Sequence, residues 1–171
     1  VTFDALEHSE TVGVVEVVKG NVSSVYGSET YSQIYPEDWA LLVLDHHPSG
    51  RGYLGVLDGQ QVEQELKSHP VFVSGYSGDL NDGRFQTVDT NCQVWDRDEL
   101  RLEYICKTAP GSSGSPVLLS TGKHAHLNVV GVHAYSYRSS EKVLAGAFKT
   151  SLFIDVVAQH RAKFCVNDLH P

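Results

Sequence analysis

Residues 109–116 read APGSSGSP and carry the side chain best suited to covalent chemistry, the hydroxyl of Ser113. Glycines on both sides of Ser113 and a proline near each end favour a fixed loop that presents one hydroxyl. Acyl transfer needs such a loop, because backbone N–H groups that converge on one point stabilise an oxyanion while the serine attacks. A flexible Gly/Ser turn between two apolar strands is the alternative interpretation.

The sequence also offers an acid and several histidines. Asp38 stands directly before the apolar stretch WALLVL, where its carboxylate could orient an imidazole base. An acid at the start of a strand is also a common structural pattern. His46 and His47 fall in a predicted turn, where we expect both side chains to be exposed to solvent. His124 and His126 are two residues apart, but no third ligand is evident, so we predict no metal site and no cofactor.

Two segments resemble one enzyme family. GSSGSP at 111–116 resembles the Gly-x-Ser-Gly-[Gly/Ser]-Pro motif of chymotrypsin-fold serine proteases, and DWALLVL resembles the segment that carries their triad aspartate. The resemblance implies Ser113 as nucleophile, the amides of Gly111 and Ser113 as oxyanion hole, and Asp38 as the residue that orients the base. Ser112 stands where trypsin relatives carry an aspartate that receives a freed N-terminal amine, so activation of that kind is not expected.

Further segments resemble the glutamyl-endopeptidase branch of that family. They are VFVSGYSGD at 71–79, the strand VVGVH that ends at His133, and Thr108, five residues before Ser113. The resemblance implies that His133 and Thr108 bind the carboxylate of a substrate glutamate. Alternatively, His133 is a core histidine whose ring is satisfied by neighbouring carbonyls. The net charge of −8 argues mildly against an acidic substrate.

The catalytic base has two candidate sources. Family members place strands and the catalytic histidine before the aspartate, and His8 is the one histidine upstream of Asp38. The base is therefore either His8 or a residue upstream of Val1, on an N-terminal segment that completes the first barrel. The chain starts with Val and shows no leader, which favours a secreted enzyme or a protease released from a larger precursor. A catalytically inactive, protease-like binding module is the alternative.

Composition narrows the classes of partner. The chain has 171 residues, of which 41% are hydrophobic, as expected for one globular domain. Lys and Arg number 13 against 21 Asp and Glu, so nucleic acid is a poor partner. No apolar run is long enough to cross a bilayer. Three cysteines match no zinc motif; Cys92 and Cys106 could face each other across a hairpin, and the pairing stays open.

The elements that must position these residues are mainly strands. Short β-branched bursts between Gly, Asn, Asp, Ser and Pro are typical of an all-β protein. They predict strands at 12–18, 31–35, 39–44, 52–57, 71–75, 83–90, 100–106, 116–119, 127–135 and 144–149, then an amphipathic terminal helix.

The family resemblance implies a chymotrypsin-like double β-barrel. Residues 1–58 would form part of the first barrel, incomplete at its N-terminus, and 59–171 the second barrel and the terminal helix. The expected partner is an extended peptide or protein substrate that pairs with the strand at 132–135.

Overall fold

The computed structural model describes residues 2–4, 9–20, 38–50, 52–121, 126–139 and 142–165. The chain forms two compact units, of which the first is Val1–Tyr53 with Val156–Pro171 and the second is Leu54–Asp155. Strands dominate both, as the sequence predicted. No helix in the described ranges is both long and apolar enough to span a bilayer.

Among the described residues, the first unit contains two pairs of antiparallel strands. β1 (Thr2–Asp4) pairs with β2 (Ser9–Thr11), and β3 (Val14–Lys19) pairs with β4 (Ala40–Leu44). β3 and β4 confirm two predicted strands, while β1 and β2 were not predicted. The strand predicted at 31–35 lies outside the described residues.

In its described part, the second unit contains seven strands and a short helix. They are β5 (Gly55–Val56), α1 (Gly59–Glu65), β6 (Val71–Gly75), β7 (Thr87–Arg97), β8 (Arg101–Ile105), β9 (Pro116–Thr121), β10 (His126–Ser139) and β11 (Lys142–Lys149). Six of these strands close a barrel in the order β11-β8-β7-β6-β9-β10, because β10 also pairs with β11. β5 adds a short parallel pairing to β10.

The barrel confirms the predicted class only in part. Among the described residues one closed barrel is present, whereas the strands of the first unit form two separate pairs. The predicted terminal helix is confirmed as α2 (Ile154–Cys165). His160 and Lys163 of this helix both contact the carboxylate of Glu16 on β3, at 3.3 and 3.1 Å.

The core of the second unit fills the barrel. Strand alternation points every second residue of β8 inward, so Leu102 and Tyr104 are wholly buried. Burying one such large apolar side chain contributes roughly 1.5–3 kcal/mol. The other fully buried members of the cluster come from several elements: Val62, Val71, Cys92, Val117, Leu119, Val130, Ala145 and Ala147.

Helix α1 covers one end of this core and was not predicted. Asp58 accepts a hydrogen bond from the Gln61 amide at 2.8 Å, while the Gln61 side chain accepts from the Asp58 amide, which is a capping box. Glu63 of α1 forms an ion pair with the buried Lys149 at the end of β11. Burial opposes ionisation of Glu63, but the hydrogen bond and charge of Lys149, aided by Arg97, hold the pKa of Glu63 below its ordinary value.

A disulfide joins Cys92 of β7 to Cys106, which directly follows β8. Both cysteines are buried in the core of the second unit. The two residues do face each other across the β7–β8 hairpin, as their spacing suggested. Cys106 is the last residue before the segment that carries Ser113.

Candidate active site

The serine loop, which we define as residues 107–115, consists of two successive tight turns. The Ser112 amide donates to the Ala109 carbonyl, and the Ser115 amide donates to the Ser112 carbonyl, both at 3.0 Å. The third residue of each turn is a glycine with positive φ, 101° at Gly111 and 85° at Gly114. Residues with a Cβ rarely adopt this backbone conformation, so the two glycines fix the shape of the loop.

The loop contains three serines, and it exposes one of them. Ser112 and Ser115 are buried, whereas Ser113 is exposed. The Ser112 hydroxyl donates to the Ser77 hydroxyl and accepts from the Ala109 amide, each at 3.4 Å. Within the described residues, the Ser113 hydroxyl has no hydrogen-bond partner. Ser113 is therefore the one exposed serine of the loop, and it is the residue that the sequence motif predicted as nucleophile.

The backbone amides of the serine loop divide into two groups. Six of them have acceptors, namely those of Lys107, Thr108, Ala109, Ser112, Gly114 and Ser115. Pro110 has no N–H. In the described part of the chain, the amides of Gly111 and Ser113 have no acceptor. These two N–H groups are the ones the motif predicted as oxyanion donors, and they are free to bind an external acceptor.

The segment after β6 supports the loop from one side. The Gly78 amide donates to the Pro110 carbonyl at 2.8 Å, and Ser77 contacts Ser112 as described. A Cβ built on Gly111 would lie 3.0 Å from the Tyr76 carbonyl oxygen. Glycine is thus required at 111 both for its φ and for this close approach.

Strand β10 holds both ends of the loop from the other side. The Gly114 amide donates to the His133 carbonyl at 2.8 Å, and the His133 amide donates to the Ser115 carbonyl at 2.9 Å. The Thr108 and Ser136 hydroxyls are 3.0 Å apart. Ser136 was not among the predicted site residues, because its contact with Thr108 joins positions 28 apart in sequence.

His133 points its ring into the barrel. The residue is 3% exposed, and its Nδ1 atom lies 2.8 Å from the hydroxyl of Tyr104 on β8. Burial lowers the pKa of His133 to about 4 and raises the pKa of Tyr104. The ring is therefore neutral at pH 7, and its partner within the core is a phenol rather than the backbone carbonyls considered from the sequence.

Asp38 belongs to the first unit, where it is exposed and lies two residues before β4. No side chain among the described residues hydrogen-bonds or pairs with its carboxylate. His8 lies outside the described residues. Of the predicted site residues, the structure gathers Thr108, Gly111, Ser113 and His133 in the second unit.

One group of side chains brings potential metal ligands together. An oxygen of Asp89 and the sulfurs of Cys92 and Cys106 lie within 4.8 Å of one another. Because the two sulfurs form the disulfide, they are not available as thiolate ligands.

Comparison with protein-family models gives no match, and comparison with curated proteins finds no similar sequence. The functional interpretation accordingly depends on the motifs and on the geometry of the serine loop.

Proposed function

We propose that this protein is a serine endopeptidase that hydrolyses peptide bonds through an acyl-enzyme on Ser113. One observation carries the proposal. The serine loop exposes one of its serines, Ser113, and among the described residues neither the Ser113 hydroxyl nor the amides of Gly111 and Ser113 have a hydrogen-bond partner. A nucleophile and two donors within three residues are what acyl transfer requires.

The reaction uses these groups in sequence. The Ser113 oxygen bonds to the carbonyl carbon of the substrate while its proton passes to an imidazole base. The carbonyl oxygen becomes an oxyanion that accepts hydrogen bonds from Gly111 and Ser113. The protonated base then gives its proton to the leaving amine as the C–N bond breaks. Water hydrolyses the resulting ester by the same steps in reverse roles, releasing the acid and restoring the hydroxyl.

Asp38 is proposed to orient that base and to stabilise its protonated form without being protonated itself. His8 and a residue upstream of Val1 stay the two candidates for the base. The exposed, unpaired carboxylate of Asp38 in the first unit is compatible with a partner outside the described residues.

Strand β10 offers a binding edge for an extended substrate. On the side opposite β11, its residues up to Val132 pair with β9, and His133 bonds to the serine loop. From Ala134 to Ser139 that side has no backbone partner among the described residues. An extended peptide can add to such an edge as a further strand. The edge thus begins at Ala134, two residues later than the sequence-based interpretation placed it.

The preferred side chain is proposed to be acidic. Thr108 of the serine loop and Ser136 of β10 supply two neighbouring hydroxyls, and His133 supplies an imidazole on the same strand as Ser136. Hydroxyl and imidazole N–H groups donate to a carboxylate, and hydrogen bonds to an ionised acceptor are about twice as strong as neutral ones.

A fluorophosphonate probe followed by intact mass and peptide mapping tests the nucleophile. We expect one adduct on Ser113 in the wild type and none in Ser113→Ala, whose thermal stability should change little because the side chain is exposed. Ser112→Ala is the matched control, since it removes a buried hydroxyl from the same loop and should still be labelled. Equal labelling of Ser113→Ala would refute the assignment.

The probe should be applied to the 171-residue chain and to the longest native form of the protein. Labelling of both would place the base within these residues, with His8 as the leading candidate. Labelling of the longer form alone would place the base upstream of Val1. Failure to label either would favour the second candidate function, a protease-like module that binds extended peptides without cleaving them. The observation that supports this module is that no described residue pairs with the Asp38 carboxylate.

A further inference from the structure

Tyr104 forms a contact that the proposed mechanism has not used. It lies on β8, is wholly buried, and places its hydroxyl 2.8 Å from Nδ1 of His133, with the ring centroids 6.2 Å apart. Within the described ranges, this nitrogen is the only hydrogen-bond partner of the Tyr104 hydroxyl. The two residues are 29 positions apart in sequence and meet because the barrel closes.

The direction of this hydrogen bond follows from what each group can do. If Nδ1–H donated to the Tyr104 oxygen, the phenolic O–H would stay buried with no acceptor, and a buried donor without a partner is costly. If the phenol donates to Nδ1, both groups are satisfied. At pH 7 the neutral imidazole carries one proton, so that proton resides on Nε2.

The Nε2 atom of His133 has no hydrogen-bond partner among the described residues. Every fully buried side-chain nitrogen or oxygen in the described part of the chain does have a partner. Nε2 is therefore reached by solvent, although His133 as a whole is buried. The ring thus has an acceptor bonded to Tyr104 and a donor that solvent can reach.

We propose that Tyr104 is a positioning residue for substrate specificity: it holds His133 as the Nε2–H tautomer, so that an N–H donor faces the substrate side chain. The inference rests on the proposed function, since it names how the same site selects its substrate. Tyr104 touches no substrate itself. The ligand is a side chain that ends in an oxygen acceptor, and a glutamate carboxylate gives the strongest bond because it is ionised.

Phenylalanine at position 104 is the sharpest test of this role. Tyr104→Phe keeps the aromatic ring in the core and removes only the hydroxyl. Nδ1 then lacks a partner in either tautomer, so the preference for a proton on Nε2 is lost. In part of the molecules, Nε2 of His133 would then carry no proton and would present a lone pair to the substrate.

Two measurements read out this change. In two-bond ¹H–¹⁵N spectra of the labelled protein at pH 7, wild-type His133 should carry its proton on Nε2, and Tyr104→Phe should shift both ring nitrogens towards a mixture of tautomers. With matched peptides that carry Glu or Ala at the cleaved residue, the Glu-to-Ala ratio of kcat/KM should fall about tenfold, mainly through KM, as for one lost charge-assisted hydrogen bond.

The controls separate this inference from the proposed function. Fluorophosphonate labelling of Ser113 in Tyr104→Phe reports separately on the nucleophile, because among the described residues no hydrogen bond, ion pair or ring contact joins Tyr104 to the serine loop. Absence of labelling in the wild type would overturn the proposed function, while the spectrum would still decide the role of Tyr104. A wild-type proton on Nδ1 would overturn the inference even if Tyr104→Phe failed to fold. An unchanged Glu-to-Ala ratio in a folded Tyr104→Phe variant would also overturn it.

Discussion

The disulfide between Cys92 and Cys106 offers the most direct test of what holds the barrel and the start of the serine loop together. Replacing both cysteines by alanine removes the covalent link between β7 and the residue that follows β8. The Thr108 amide donates to the Cys106 carbonyl at 3.0 Å, so the loop is anchored at the cross-link. We expect the variant to fold, because the hydrogen bonds of the β7–β8 hairpin remain.

The expected loss of stability follows from the size of the covalent loop. The two cysteines are 14 positions apart. For a loop of this length, the chain-entropy treatment gives about 3 kcal/mol, because the cross-link restricts the unfolded chain. In a protein of this size each kcal/mol corresponds to roughly 2–4 °C in Tm, so Tm should fall by roughly 6–12 °C.

Urea unfolding followed by far-UV circular dichroism measures this loss, with and without a phosphine reductant. When the disulfide is reduced, the free energy of unfolding of the wild-type protein should fall by most of the expected value of about 3 kcal/mol. The double-alanine variant is the matched control and should not respond to the reductant, since its disulfide is already absent. A wild-type loss below about 1 kcal/mol, or an equal response of both proteins, would refute the reasoning.

Two further predictions concern the site. In the fold the pKa of His133 is about 4, below the ordinary 6.5 of the unfolded chain, so the unfolded state takes up its proton first as the pH falls. The free energy of unfolding should therefore fall by about 3 kcal/mol in total between pH 6.5 and 4. His133→Asn should flatten this part of the plot of unfolding free energy against pH, measured by urea unfolding. Parallel plots for the two proteins would contradict the prediction. Gly111→Ala, at φ 101° and 3.0 Å from the Tyr76 carbonyl, should lose about 1–2 kcal/mol and be labelled by fluorophosphonate about 100-fold more slowly. Gly114→Ala shares the strained positive φ, 85°, but has open space around its Cβ, so it should lose less stability and be labelled faster than Gly111→Ala; equal labelling rates would show that the Gly111 amide is not a donor to the oxyanion.

Several elements could be predicted because their signal is local. β6 begins and ends where the apolar run VFVSG predicts, and α2 follows from apolar residues at helical spacing. Helix α1 was missed because it is short and mostly polar, although Asp58 and Gln61 carried the capping-box signal. β10 was predicted to end at 135 but continues to Ser139, because its second half is stabilised by pairing with β11 rather than by its own pattern.

The site residues differ in the same way: those set by local sequence were predicted, and those set by distant partners were not. Ser113, Gly111 and Gly114 were readable because a tight turn requires glycine at fixed positions, and that requirement appears directly in the sequence. The roles of Ser136 and Tyr104 were not readable, since each depends on a partner 28 or 29 positions away.

The sequence alone determined the local chemistry of this protein: a loop with two obligatory glycines and two serines between them, and strands whose apolar residues build a β-rich core. Only the tertiary structure decided which of the three loop serines is exposed, which two loop amides have no acceptor among the described residues, and which residue bonds to His133 inside the barrel. The physical reason is that backbone torsion preferences act within a few residues. Burial and hydrogen-bond pairing are instead settled when β10 joins β11 and closes the barrel.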